Sequence, residues 1–125
     1  MRTFSSMRKP KLSKLDIAVL KDVRHYIDNN LDIDLSVKSI ATKFTMSDIT
    51  LSRHFRIYYK IPLYTFVLQK RMQKALHEIL FENEVSLKEI ARNIGYKQYT
   101  SFIHAFSRHY GFSPSDVPRS STNNC

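Results

Sequence analysis

One stretch of the chain is present twice, and this repeat restricts the possible folds more than any other feature. The segment that begins at Ser36 reappears from Ser86, an offset of 50, with the same Ser, Lys, Ile and Ala in the same places. Farther on the offset is 51, so one residue was added between the two matching parts. The later match pairs Leu51-x-Arg53-x-Phe55 with Phe102-x-His104-x-Phe106. A chain of this length that repeats a short apolar pattern is expected to consist of two like units.

Glycine is too scarce for a fold that is rich in turns. The chain has two glycines, Gly95 and Gly111, and four prolines, whereas a β-sandwich or barrel needs many more turn residues. Hydrophobic residues make up 42% of the chain, which is enough for a core. We therefore expect an all-α protein.

The spacing of apolar residues places the helices. Ser36, Ser47 and Ser86 are good N-caps, Pro62 favours a helix start and Gly111 a helix stop. Helices are predicted over about 13–30, 36–44, 47–59, 63–81, 86–93 and 97–110, with one more turn opened by Ser113–Pro114. Each copy of the repeat is then a short helix, a tight turn and a second helix, which is the helix-turn-helix (HTH) pattern.

The charge and the motifs exclude several function classes. A formal charge of +9 favours nucleic acid or an anionic membrane surface as partner. The single cysteine, Cys125, cannot form an internal disulfide, and the histidines have no zinc-site spacing, so no metal or other cofactor is expected. Neither an apolar run of about 18 residues nor a signal segment is present, which favours a cytoplasmic protein without a membrane partner. No nucleophile elbow or phosphate-binding glycine loop is present, so we expect no catalytic residues and no enzyme.

The second helix of each unit has an outward face. In the first unit Leu51, Phe55 and Tyr59 share the buried stripe, since they are spaced four residues apart. The opposite face carries Ile49, Ser52, Arg53 and Arg56. An arginine there can bind guanine O6 and N7 with two hydrogen bonds, and an isoleucine can touch a thymine methyl group.

The second unit repeats this arrangement, and simpler interpretations also apply to both. Phe102, Phe106 and Tyr110 are expected inside, and the outward residues are Tyr99, Thr100, Ile103, His104, Ser107 and Arg108. Ile49 and Ile103 are equally compatible with packing against a neighbouring helix. Isolated arginines such as Arg53 are usually solvated charges, although the repeat favours a functional role. Lys70, Arg71 and Lys74 are expected on a solvated face that also favours phosphate.

Several segments together resemble the AraC/XylS family of bacterial transcription regulators. The resemblance covers about residues 15–119, nearly the whole chain. In the first unit and the helix after it, the segments are Ser36–Ala41, Met46-Ser47-x3-Leu51-Ser52-Arg53-x-Phe55-Arg56 and Phe66-Val67-x3-Arg71-Met72-x2-Ala75. In the second unit they are Ile90-Ala91-x3-Gly95-Tyr96, Phe102-x3-Phe106 and Gly111-Phe112-Ser113-Pro114. Without a separate effector domain, the chain is most similar to the small stand-alone members typified by MarA, SoxS and RamA.

The resemblance implies an architecture and a function. It implies seven helices in two homeodomain-like HTH subdomains joined by a long linker helix. The expected divisions are a flexible basic N-terminus (1–12), a first subdomain (13–62), the linker helix (63–81), a second subdomain (82–119) and a disordered tail (120–125). It also implies a monomeric activator that binds double-stranded DNA in the bacterial nucleoid. A role in stress or antibiotic resistance is implied as well. Its two recognition helices would enter successive major grooves, and it would contact RNA polymerase.

The resemblance also assigns residues, with some departures from the family pattern. Ile49 stands where MarA-like members have tryptophan, His104 where arginine is usual, and Lys60 where glycine is frequent. Because the second helix lacks that arginine, the first half is expected to supply most direct specificity. The family pattern usually ends in Tyr-Arg, and this chain has Val117-Pro118-Arg119 there instead. The base-reading residues implied are Ile49, Ser52, Arg53, Tyr99, Thr100, Ile103 and His104. Phosphate contacts are expected from Arg56, Lys60, Lys70, Lys97, Gln98, Ser107 and Arg108.

A different class of function fits the same charge. A basic helical module could dock an acidic protein or the polymerase without reading DNA sequence. It would bind DNA in a salt-sensitive way with no sequence preference.

Overall fold

The chain folds into helices joined by short turns, as the sequence predicts. A computed structural model describes residues 11–119, and that part contains six α-helices, one short 3₁₀ helix and no strand. The predicted count of seven is reached when the 3₁₀ helix is included. The helices are α1 (Lys14–Asp28), α2 (Val37–Lys43), α3 (Asp48–Tyr59), α4 (Leu63–Phe81), α5 (Leu87–Asn93), α6 (Tyr99–Tyr110) and the 3₁₀ helix Pro114–Asp116. Most of the predicted flexible N-terminus and the whole predicted tail lie outside the described residues.

The repeat in the sequence is a repeat in the structure. Helices α2 and α5 both have 7 residues, and α3 and α6 both have 12. The two HTH turns close in the same way, because Met46 N donates to Ala41 O at 2.9 Å and Tyr96 N donates to Ala91 O at 3.0 Å. The turn 94–98 is one residue longer than the turn 44–47, which explains the change of offset from 50 to 51.

Serine hydroxyls begin the helices of the HTH units. The Oγ atoms of Ser36, Ser47 and Ser86 each accept a hydrogen bond at 3.1 Å from the backbone amide three residues later. Such caps satisfy amide groups that the helix leaves unpaired. Helix α6 is the exception, since the side chain of its N-cap residue Gln98 makes no capping hydrogen bond. The helix therefore begins at Tyr99 rather than at the predicted residue 97.

Helix α1 ends two residues before its predicted end, and asparagine side chains account for this. The amide group of Asn29 donates to His25 O at 2.9 Å, and that of Asn30 donates to Tyr26 O at 2.8 Å. The side chain of Asn30 thus occupies the Tyr26 carbonyl group that the next helical hydrogen bond would have used, while His25 O also accepts from Asn29 N.

Two separate hydrophobic clusters hold the two units, and α4 contributes to both. Helix α4 supplies Leu63, Phe66 and Val67 to the first cluster and Met72, Ala75 and Ile79 to the second. The first cluster is completed by Leu20, Val23, Ile27, Leu31, Leu35, Ile40, Ala41, Leu51 and Phe55. The second is completed by Ile90, Ala91, Ile94, Phe102, Phe106 and Val117. One continuous helix therefore passes from one core into the other.

The residues that follow α3 and α6 have the same backbone conformation, although one is lysine and the other is glycine. Lys60 follows α3 with φ 71°, and Gly111 follows α6 with φ 84°. In this left-handed region a residue with a Cβ is strained by about 1–2 kcal/mol, whereas glycine is not. Lys60 is therefore strained at a position where the glycine that is frequent in the family would not be.

We expect Lys60→Gly to raise the free energy of unfolding by about 1 kcal/mol, since it removes this backbone strain. Gly111→Ala is expected to lower the free energy of unfolding by a similar amount. A Cβ at Gly111 would meet no atom within 4 Å, so only the backbone conformation is affected. Urea denaturation of both variants measures the two changes, and a loss of stability in Lys60→Gly would contradict the prediction.

Candidate nucleic-acid interface

Helix α3 turns one face to the core and the other to solvent. Leu51 and Phe55 are completely buried, whereas Ile49 is 70% exposed. Ser52, Arg53 and Arg56 are also exposed. Within residues 11–119 neither arginine side chain forms a hydrogen bond or an ion pair with another residue. The guanidinium groups of this face are therefore free to bind an anion or the edge of a base.

A groove lies beside this face and extends it to the start of α4. It has a volume of about 510 Å³, and its apolar wall is formed by Val37, Pro62 and Leu63. Tyr64 stands at its edge and is 71% exposed, although the sequence assigned it no role. The α3 residues that line the groove are Asp48, Ile49, Ser52, Arg53 and Arg56. The groove joins an apolar surface to two free positive charges.

Helix α6 presents a more mixed face than the sequence predicts. Thr100, His104 and Arg108 are exposed, but Tyr99, Ile103 and Ser107 are half-buried. The ring of Tyr99 lies 5.9 Å from the ammonium nitrogen of Lys88 on α5. Ile103 packs against the second hydrophobic cluster, which supports the alternative that it contacts neighbouring helices. Since Phe102 and Phe106 point directly inward, their neighbours lie at the boundary of the core.

The arginine and histidine at equivalent places in the repeat are both on the surface. Arg53 occupies the sixth position of α3, and His104 occupies the sixth position of α6. Both residues are exposed. Their roles in reading bases stay predictions, as do those of the other residues assigned from the sequence.

The residues expected to contact phosphate differ in solvent exposure and in the contacts that they already make. Arg56, Lys60, Lys97, Gln98 and Arg108 are exposed, whereas Ser107 and Lys70 are half-buried. Lys70 is already engaged, because its ammonium lies 3.7 Å from the carboxylate of Asp28 and 5.4 Å from the centre of the Phe66 ring. A partly exposed ion pair of this kind stabilises the fold little, so a phosphate can replace the carboxylate at small cost.

Arg71 is not on the solvated face that its charge predicts. Its side chain is half-buried and donates from Nε to Leu31 O at 3.1 Å and from Nη2 to Ile33 O at 2.7 Å. Burial lowers the pKa of Arg71, but a guanidinium stays charged in proteins. The spacing contained this signal, since Arg71 lies four and eight residues before the buried Ala75 and Ile79.

Arg119 has the same kind of role in the second unit, and the sequence did not reveal it. Its guanidinium donates to Ile79 O at 3.0 Å, to Val85 O at 2.8 Å and to Glu82 O. Val117 is 7% exposed and belongs to the second cluster. These contacts hold the last turn in place, although its sequence differs from the Tyr-Arg that usually ends the family pattern. No local pattern announces such contacts, because the partners lie more than 30 residues away along the chain.

A second groove, of about 570 Å³, lies between the two HTH units. Asp32 and Ser36 line it from the first unit, and Arg92 and Tyr96 line it from the second. Tyr64 borders both grooves. The phenol of Tyr96 is half-buried, and burial raises its pKa while the neighbouring Arg71 opposes the rise.

Neither a metal cluster nor a membrane-spanning helix is found in the described part of the chain. Residues 11–119 contain no cluster of three or more His, Cys, Asp or Glu side chains that could hold a metal ion. None of its helices has the length and apolar character needed to cross a bilayer. What it does offer is two similar helix faces carrying exposed polar and positive side chains.

Comparison with known proteins identifies the fold and the family. The helix-turn-helix domain family matches residues 40–120, more than half of the chain. In structure, the chain is similar to the C-terminal domain of AraT, a response regulator from Geobacillus stearothermophilus. The TM-score is 0.80 at 27% identity, and the match covers 93% of this chain and 95% of that one.

Two curated relatives are longer proteins. The HTH-type transcriptional regulator YdiP of Escherichia coli K12 is 33% identical over 101 residues, which cover 81% of this chain and 33% of YdiP. The transcriptional activator AggR of Escherichia coli is 30% identical over 92 residues, which cover 74% of this chain and 34% of AggR. The chain thus spans about a third of the length of these relatives. Both are regulators rather than enzymes, in agreement with the prediction for this chain. From its fold, its repeat and these matches, the chain belongs to the AraC/XylS family of helix-turn-helix DNA-binding transcription regulators.

Proposed function

We propose that this chain binds an asymmetric DNA site as a monomer and activates transcription there. Helices α3 and α6 each enter a major groove, and the two grooves are successive on one side of the duplex. Each groove is about 34 Å from the next, one helical turn of DNA. Direct readout is concentrated in the first half-site, where Arg53 binds a guanine.

The observation that carries this proposal is the duplicated surface. Arg53 and His104 occupy the same position in two helices of equal length, and both are exposed. A polar outward face is ordinary for a surface helix, but here it is repeated at equivalent positions of two HTH units in a strongly basic chain. Two such surfaces on a chain of charge +9 fit a long, regular and anionic partner.

Activation is supported by relatedness rather than by geometry, and the polymerase contact stays a prediction. AggR is named a transcriptional activator, and its matching segment covers 74% of this chain. A regulator of this kind acts on the chromosome in the cytoplasm, next to RNA polymerase. The stand-alone type and a role in stress or antibiotic resistance stay predictions.

Selection from random oligonucleotides tests the proposal. We expect the chain to recover an asymmetric motif with two parts, centred about 10 base pairs apart. The first part should be the more strongly defined, since His104 stands where an arginine would read guanine. Recovery of no motif, with binding that depends on salt alone, would favour the alternative of a basic protein-interaction module.

The variant Lys60→Gly separates the two roles of this position. It relieves the left-handed backbone and also removes a predicted phosphate contact. We expect it to be more stable and yet to show a salt slope of DNA binding reduced by about 0.9, the value for one lost phosphate contact. Lys21→Ala is the matched control, because Lys21 is an exposed lysine of α1 that belongs to neither predicted set.

A further inference from the structure

Arg71 lies on α4 at the point where this helix passes from one core to the other. Val67 belongs to the first hydrophobic cluster, and Met72 belongs to the second. The guanidinium reaches back to the carbonyl groups of Leu31 and Ile33, in the loop between α1 and α2, at 3.1 and 2.7 Å. Two hydrogen bonds from one planar group fix its orientation, and hence the face that it turns to the second unit.

The turn of the second HTH unit lies against the same guanidinium. The Tyr96 ring centre lies 5.9 Å from Arg71 Cζ, within the range of a cation–π contact. Gly95 approaches even more closely. A Cβ built on Gly95 would lie 2.6 Å from Leu31 O and 2.7 Å from Arg71 Nη2. Glycine therefore permits the turn of the second unit to touch the loop of the first.

We propose that Arg71, Gly95 and Tyr96, together with the carbonyl groups of Leu31 and Ile33, form a latch that fixes the angle between the two recognition helices. The consequence rests on the proposed function: the latch determines which spacing of half-sites the protein accepts. Arg71 is a positioning residue in this scheme and does not contact DNA.

A latch is needed because α4 alone joins the two cores. A single helix bends, and units that share only a small interface move relative to one another. Linking two binding surfaces raises affinity only when the linker holds them at the right separation. The groove of about 570 Å³ between the units leaves room for such movement, and the latch contacts lie along its wall.

Arg119 supplies a matched comparison for Arg71. It donates to three carbonyl groups at the end of α4 and in the loop after it, those of Ile79, Glu82 and Val85, all on the side of the second core. It is a clamp within the second unit, whereas Arg71 joins the two units. Arg119→Lys should therefore reduce stability without changing the angle between the units.

The glycines supply a second matched pair for the experiment. Gly95 and Gly111 both have positive φ, 98° and 84°, so alanine strains the backbone at either position. Only at Gly95 does the new Cβ meet other atoms. Gly95→Ala should therefore displace the second unit from the first, and Gly111→Ala should not.

The arrangement of the two units is tested without DNA, through the distance between one label on each unit. Nitroxide labels are placed at Thr42→Cys and Asn93→Cys, exposed positions at the ends of α2 and α5, in a Cys125→Ser background. Double electron–electron resonance then gives the distribution of label distances in the whole chain. We expect a narrow distribution for the unmodified interface and for Gly111→Ala and Arg119→Lys. Gly95→Ala and Tyr96→Leu should shift or broaden it, and unchanged distributions in both would overturn the latch.

The DNA consequence is measured separately. The two half-sites recovered by selection are separated by spacers lengthened or shortened by one and two base pairs. We expect wild-type affinity to fall about tenfold for a one-base-pair change, since a rigid connection tolerates little mismatch. Tyr96→Leu should reduce this discrimination several-fold, whereas Arg119→Lys should preserve it. If the wild type selects no motif, the proposed function fails, while the label distances still decide whether the latch exists.

Discussion

Replacing Phe102 with alanine is expected to lower the free energy of unfolding by about 3–5 kcal/mol. Phe102 is completely buried in the second cluster. Its ring centre lies 5.8 Å from that of Tyr96 and 5.7 Å from that of Phe106. The change removes buried apolar surface and leaves a cavity that the surrounding helices cannot fill. A small protein has only about 5–15 kcal/mol of stability in total, so the loss is severe.

The loss of stability is expected to be concentrated in the unit that contains the substitution. Because the two clusters share no buried residue, Phe102→Ala should weaken α5 and α6 much more than α1 to α3. Phe55→Ala is the matched variant, since Phe55 is equally buried in the first cluster. Amide hydrogen exchange followed by mass spectrometry locates the loss of protection. Equal loss over both units in each variant would contradict the division into two cores.

Replacing Arg53 with alanine is expected to lower affinity for the selected site by about 1–3 kcal/mol and to relax the preference at one base pair. Each 1.4 kcal/mol corresponds to about a tenfold change in the dissociation constant. The fold should be almost unaffected, since Arg53 is exposed and makes no ion pair within residues 11–119. The measurement is a binding titration against the selected site and its single-base variants.

Arg53→Lys separates base reading from charge. Lysine keeps the positive charge but lacks the planar fork that pairs with guanine O6 and N7. We expect this variant to keep the salt dependence of wild type and to lose most of the preference at the same base pair. If Arg53→Ala ranks all sites as the wild type does, with unchanged affinity, Arg53 does not read bases.

The helices and their order were predictable because local signals determined them. Pro62 marks the start of α4, and the predicted range 63–81 agrees with the observed helix at both ends. Serine caps placed α2 and α5 equally well. The start of α6 was two residues off, since Gln98 supplies no capping side chain and hence no signal. The scarcity of glycine predicted an all-α fold, and the HTH repeat together with the family resemblance predicted its two subdomains.

The contacts between the units were not predictable, since they depend on groups distant in sequence. The charge of Arg71 predicts a solvated position, whereas its spacing from Ala75 and Ile79 predicts a position at the core, where hydrogen bonds to Leu31 O and Ile33 O hold it. The close approach of Gly95 to Leu31 cannot be inferred from a local pattern, although the presence of glycine there is consistent with it. At Tyr99 and Ile103 the pattern gave the correct helix but not the degree of burial, which neighbouring side chains determine.

We propose that α3 and α6 contact one side of a DNA duplex in successive major grooves. Methylation interference on the selected site locates these contacts, because guanine N7 lies in the major groove. We expect methylation to block binding in two clusters about one helical turn, or 10 base pairs, apart. A single cluster, or two clusters about half a turn apart on opposite sides of the duplex, would contradict it.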